Sequence, residues 1–336
     1  MKILHMARST VANAPIHINN FLNKYSKGKI ENRCITSIKG IPTDKQDINW
    51  GWSNKVIQEN LSQFEQMIEW CDIIHIHNQP PLMSNSTGWR LLENTRKPIV
   101  LQVHSEPEKI KPIYDVLTSH FPIAKILVIA QYQAVHMFQK DFSVIRNAVD
   151  INDIDLQPQY NDNKIPHVTF SPSNKASLER LESKWKSTWA YKSFYEVEPI
   201  LKRLANEGII TYEIFYDVPF RKSLVARKKG DIHIDDIYTG SYHLSSLEGL
   251  AQGKMVICNI KPWMSLFLRQ FLGKDTLPWI VADKDSLEKT LRYYCHSNNM
   301  IELSKLRHYS YEWIQKHWNP ELVCGDYLTV YNEVLE

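Results

Sequence analysis

The chain has 336 residues, long enough for two domains with separate hydrophobic cores. An apolar share of 43% beside 23% charged residues describes a globular protein, and a net charge of +3 is too mild to argue by itself for nucleic acid or acidic lipid. No apolar run reaches membrane-spanning length, the first residues lack the apolar core of a signal peptide, and the five cysteines show no CxxC spacing. A reducing, cytoplasmic setting is therefore expected, with peripheral attachment as the one membrane role left open.

In chain order, residues 2–6 read as a first strand. The loop at 7–15 is built of small residues, among them Ser9 and Asn13, and Pro15 suits the first turn of a helix running to Tyr25. A second strand is expected over 32–38, then a polar loop with two tryptophans over 42–52. Val56, Ile57, Leu61, Phe64, Met67 and Ile68 recur at helical spacing. The strand at 72–77 reads DIIHIH. The strand at 99–103 runs into His104-Ser105-Glu106-Pro107, which places His104 at the carboxyl edge of the sheet, where open α/β sheets bind ligands. His75, His77 and His104 could form a zinc trio, but no carboxylate stands with them and a metal site is not expected. A strand at 125–129 and a helix at 132–139 follow, and the polar, aperiodic stretch 151–166 reads as an interdomain linker.

The second half repeats the alternation. A strand at 167–170 leads to an insertion at 176–191 carrying Trp185 and Trp189, a helix at 195–207, a strand at 211–216 and a basic helix at 220–229. Arg221, Lys222, Arg227, Lys228 and Lys229 on the last of these are either a phosphate- or acceptor-binding patch or a solvated face. Residues 231–260 then give a short strand, a loop with Gly240, a helix over 244–252 stopped by Gly253, and an apolar strand over 255–259 without alternation. Strand, loop, helix N-terminus and parallel strand make a phosphate-binding geometry, because the first helical N–H groups lack intrahelical partners and the dipole favours an anion. Glu248, one turn into the helix, would lie beside that anion and accept hydrogen bonds from sugar hydroxyls; the plain alternative is an ordinary βαβ unit with a surface glutamate. A strand at 279–281 and helices at 286–296, 300–318 and 321–334 complete an α/β chain of two Rossmann-like, doubly wound domains.

The 231–260 stretch resembles the donor-nucleotide loop of the retaining GT-B glycosyltransferases, the glycosyltransferase family 4 or group 1 enzymes. Gly240-Ser241-Tyr242-His243-Leu244 stands at the family's loop, Glu248 at its second acid and Gly253-Lys254-Met255-Val256 at its closing motif; the family's first acid falls on Gly240 and is absent. Val144–Asp150 is similar to the segment that leaves the family's first domain. The resemblance implies an acceptor domain at 1–150, a nucleotide-sugar donor domain at 167–315 and a final helix at 316–336 crossing back to the first domain. It implies transfer of a sugar, with retention and without metal or other cofactor, from a UDP- or GDP-linked donor to a glycan or lipid-linked glycan, as in polysaccharide biosynthesis. It also implies roles. His104 contacts the donor sugar, and Lys175 and Lys192 hold the pyrophosphate, with Lys186 a rival to Lys192. Ser9, Asn13, Gly240, Ser241, Tyr242, His243, Leu244 and Glu248 bind the donor. The missing acid, and a 7–15 loop without the family's Gly-Gly, keep two alternatives open: a non-catalytic GT-B subunit serving a partner transferase, and a phage-type enzyme acting on modified bases in DNA.

Overall fold

The computed structural model describes residues 1–8, 14–36, 53–138, 140–161, 163–172, 193–216, 218–273 and 276–336. The chain divides into two compact units, Met1–Ala148 with Pro320–Glu336, and Val149–Asn319. Among the described residues no helix is long and apolar enough to cross a membrane.

The first unit carries six parallel strands: β1 (Lys2–Ala7), β2 (Glu31–Thr36), β3 (Ile73–His77), β4 (Ile99–Val103), β5 (Ile123–Ile129) and β6 (Ser143–Ile145), in the order β2-β1-β3-β4-β5-β6. Every residue of β3 and β4 is buried, including the polar His75, His77 and Gln102, because helices cover both faces of a parallel sheet. Leu4, Met6, Ile74, Ile76 and Leu101 pack with Phe64, Trp89, Leu92 and Leu117 on one side. The helical spacing over 56–68 resolves into two helices, Asn54–Glu59 and Leu61–Trp70, because Asn60 leaves the helical region at φ −130. The chain turns from β1 to β2 on one side and to β3 on the other, so the strand order reverses between β1 and β3; crevices at such points take ligands. The helix Pro320–Leu335 belongs to this unit and buries Tyr327 and Tyr331 in it, while its Asp326 pairs with Arg146 at 2.7 Å.

The second unit carries β7 (His167–Phe170), β8 (Thr211–Ile214), β9 (Ile232–Ile234), β10 (Met255–Cys258) and β11 (Ile280–Val281), ordered β11-β10-β9-β7-β8 and parallel throughout. Its reversal lies between β7 and β9, and Asp235 and Asp236 follow directly on β9. Residues 151–161 and 163–166, the expected linker, group with this unit. Arg221 reaches Asp153 and Asp155 at 2.6 and 2.8 Å, and the Tyr160 ring stacks on His308 at 4.2 Å. These ties run through polar side chains, so no apolar period betrays them in the sequence. Asp231 is a staple of the same unit: it accepts from Arg307 Nη1 at 2.7 Å, Asn163 Nδ2 at 2.8 Å and the His167 amide at 2.9 Å.

Candidate functional site

In the second unit the loop after β9 is held by its own two aspartates. Asp235 accepts from the His243 amide at 2.7 Å and from Ser245 Oγ at 2.5 Å, closing the loop onto the first turn of the helix Leu244–Ala251. Asp236 Oδ1 accepts from the amides of Tyr238 at 2.6 Å and Thr239 at 3.3 Å, and from Ser193 Oγ at 3.3 Å. The His243 ring lies near both acids, its Nδ1 3.4 Å from Asp235 Oδ2 and 3.7 Å from Asp236 Oδ2. Gly240 has φ +85, and a Cβ there would meet Lys261 Cγ at 2.6 Å and Trp263 Cζ2 at 2.9 Å. The backbone needs glycine at this point, so the missing acid is a built-in property of the loop. Glu248 is only 4% exposed, and its Oε2 accepts from Nη2 of Arg227, itself 2% exposed. Arg227 Nε and Nη1 have no hydrogen-bond partner among the described residues. Tyr242 is buried, stacked on Trp279 at 4.9 Å and edge-on to Trp318 at 6.2 Å.

In the first unit His104 follows β4. Asn78, in the left-handed region at φ 58, accepts from the His104 amide at 2.8 Å and donates to Ser105 Oγ at 2.8 Å, joining the loops after β3 and β4. Asparagine tolerates that conformation better than most residues. Gln133 Nε2 donates to the His104 carbonyl at 2.7 Å. Behind His104 lie three fully buried histidines, His5, His75 and His77, the first two register partners on β1 and β3. Burial pushes His5 down to about 4 and His104 down to about 3, and holds His75 and His77 well below the ordinary range.

No protein-family model matches the sequence, and no curated protein matches it. Solved structures do match over the whole chain. An alpha-glucosyltransferase in complex with UDP and a 13-mer DNA containing a central A:G mismatch aligns at a TM-score of 0.66 and 10% identity, covering 100% of this chain and 99% of that one. Sucrose-phosphate synthase from Thermosynechococcus elongatus aligns at 0.61 and 10% identity, covering 99% and 98%. HepE from Anabaena, in complex with UDP, aligns at 0.59 and 11% identity, covering 99% and 100%.

The chain has the GT-B fold.

On this GT-B chain the expected site residues fall in three groups. Ser9, Asn13, Lys175 and Lys192, with the rival Lys186, lie outside the described residues. Gly240, Ser241, Tyr242, His243, Leu244 and Glu248 are gathered around the β9 loop and the helix after it, but in unequal ways. The Tyr242 ring is core, and the His243 amide is already spent on Asp235 rather than turned to a phosphate. Glu248 is neither a surface glutamate nor alone. The third group is His104, at the edge of the other sheet. The basic run resolves too: Arg221 binds Asp153 and Asp155, Arg227 binds Glu248, and Lys228 Nζ donates to the Ile154 carbonyl at 2.5 Å, so most of it is neither an open patch nor a solvated face. His5 escaped the sequence reading, and Arg227 entered it only as one of the basic run, not as the partner of Glu248. The available signals were a histidine at the same strand position as His75, and an arginine ending a helix directly before β9.

Proposed function

We propose that this GT-B chain transfers a sugar from a nucleotide-sugar donor, UDP-linked by analogy with the UDP complexes among its structural neighbours, to a hydroxyl of a glycan acceptor. The observation that carries the reading is Glu248: a carboxylate one turn into the helix that follows β9, fixed by a buried arginine, with no second hydrogen bond to it from the described residues. A carboxylate fixed in that way accepts hydrogen bonds from a ribose without reorganising. The helix N-terminus and the cations Lys175 and Lys192 stabilise the charge that develops on the leaving diphosphate. Donor binding is assigned to Ser9, Asn13 and the loop from Gly240 to Leu244, and the donor sugar to His104. No protein nucleophile is needed: the leaving diphosphate oxygen takes the acceptor proton on the same face, which retains configuration. Nor does this scheme call for a metal.

The test is a calorimetric screen of UDP, GDP, ADP and CMP on the wild type and on Glu248→Gln. The amide keeps a hydrogen-bonding oxygen beside Arg227 and removes only the charge, whereas Glu248→Ala removes both; urea unfolding of the variant separates lost binding from lost stability. One nucleotide is expected to bind in the micromolar range and to weaken by about tenfold or more in the variant, the size of one charge-assisted hydrogen bond. Failure of well-folded protein to bind any of the four would overturn the reading and favour a non-catalytic subunit. A DNA acceptor is the second reading, favoured by the likeness to the alpha-glucosyltransferase in complex with DNA. It requires a duplex affinity that falls steeply with salt.

A further inference from the structure

Three imidazoles and one amide form an unbranched chain through the first sheet. Asn32 Oδ1 lies 3.0 Å from His5 Nε2, His5 Nδ1 lies 2.9 Å from His77 Nε2, and His77 Nδ1 lies 2.9 Å from His104 Nε2. A neutral imidazole has one N–H and one lone pair, so all three contacts are made together only if every proton points the same way. The opposite orientation of the Asn32 amide would reverse every proton in the file; with the Asn32 oxygen facing it, His5 carries its proton on Nε2. His5 Nδ1 then accepts from His77 Nε2–H, and His77 Nδ1 accepts from His104 Nε2–H. The chain ends in a lone pair on His104 Nδ1, at the carboxyl edge of the sheet.

The same rings invite a different reading, because ligand atoms of His5, His75 and His77 lie within 4.8 Å of one another and could hold a metal ion. Their orientation argues against it. His75 and His77 stack at 4.3 Å and 19°, His5 and His77 at 5.2 Å and 24°, and His75 turns Nδ1 to the Tyr331 hydroxyl at 2.7 Å. Metal ligands converge on a point; these nitrogens run in file. Among the described residues Gln102, Tyr327 and Tyr331 also face the rings, all uncharged at neutral pH. With the imidazoles themselves kept neutral by burial, the file is a chain of neutral donors and acceptors.

We propose that Asn32, His5 and His77 are positioning residues that fix His104 as the Nε2–H tautomer, so that its Nδ1 accepts a hydrogen bond from a hydroxyl of the bound donor sugar. The role at the sugar rests on the glycosyltransferase reading above; the tautomer does not. A fixed acceptor distinguishes a hydroxyl from a group that can only accept, so a donor with fluorine in place of that hydroxyl is refused.

The experiment uses the full chain labelled with 15N-histidine. Long-range 15N–1H spectra report which ring nitrogen is protonated, with or without turnover. His5, His77 and His104 are expected to be Nε2–H in the wild type. Asn32→Leu removes the terminal acceptor: His104 then shows Nδ1–H or a mixture, and KM for the donor rises about tenfold with a smaller change in kcat. Asn32→Asp keeps an acceptor oxygen and restores both readouts. Nδ1–H on His104 in the wild type overturns the proposal even if Asn32→Leu fails to fold. So does an unchanged His104 tautomer in folded Asn32→Leu, or a stoichiometric metal bound by His5, His75 and His77. An intact tautomer pattern in a protein that binds no nucleotide sugar would fail the glycosyltransferase reading alone.

Discussion

The two sheets share one architecture, yet their switch points are built from opposite materials. Between β1 and β3 stand imidazoles that burial keeps uncharged, so what is fixed there is the direction of hydrogen bonds. Beyond β9 stand acidic side chains, two buried aspartates and a buried Glu248–Arg227 pair, so what is fixed there is charge. The first arrangement tolerates a wide pH range above the titration of its rings and fails when a proton is forced in. The second fails when either partner is deleted, since a lone buried charge is far costlier than a lone buried hydrogen bond.

The sharpest way to break that contrast is Arg227→Met. It leaves Glu248 buried without its cation and is expected to cost about 3–5 kcal/mol in urea unfolding, much of it recovered in the double variant Arg227→Met/Glu248→Leu. If the single variant costs no more than the double, the charge at this switch point is not what its stability depends on. Next in size is pH. Below the ordinary histidine value of 6.5 the unfolded chain takes up a proton that folded His5 refuses until about 4, so stability is complete above 6.5 and is lost as pH falls across that window. His5 alone accounts for on the order of 3 kcal/mol, and His104, held to about 3, adds in the same direction. Unfolding midpoints between pH 7.5 and 4.5, compared with those of His5→Gln, measure this: the variant should lose less stability on acidification, and parallel curves would show that His5 carries no pH dependence. The smallest effect is at Gly240→Asp, which supplies the acid that the GT-B resemblance lacks. The left-handed backbone and the contacts with Lys261 and Trp263 should make it destabilising by about 1–3 kcal/mol, with no gain in donor affinity. Tighter binding in this variant would mean that the acid was lost from a loop able to hold it.

Much of the fold was legible because parallel strands buried on both faces are rich in apolar residues: β4 and β7 begin and end at the expected 99–103 and 167–170. The helices Thr87–Glu93 and Pro107–His120 were not, the first for its shortness and the second because Pro112 interrupts its pattern. At the candidate site, position in the chain announced His104 and Glu248, since each stands just beyond a strand end or inside a helix start. Partnership was silent. Arg227 is hidden among basic neighbours 21 residues before Glu248, and Asn32, which sets the direction of the histidine file, is an ordinary polar residue on β2. A motif also specified Tyr242 as a loop residue without saying that its ring would be taken by Trp279 and Trp318. Pattern reads backbone paths; side-chain contacts between distant segments must be seen.

The division of the chain also sets an order of events at the ribosome. Pro320–Glu336 completes the first unit but is translated after all of Val149–Asn319. At about 5–20 residues per second that interval is on the order of ten seconds or more. Throughout it His75 lacks the Tyr331 hydroxyl and Arg146 lacks Asp326. The half begun first is therefore finished last, and a nascent chain released short of Pro320 carries a whole second unit beside a first one still missing its closing helix.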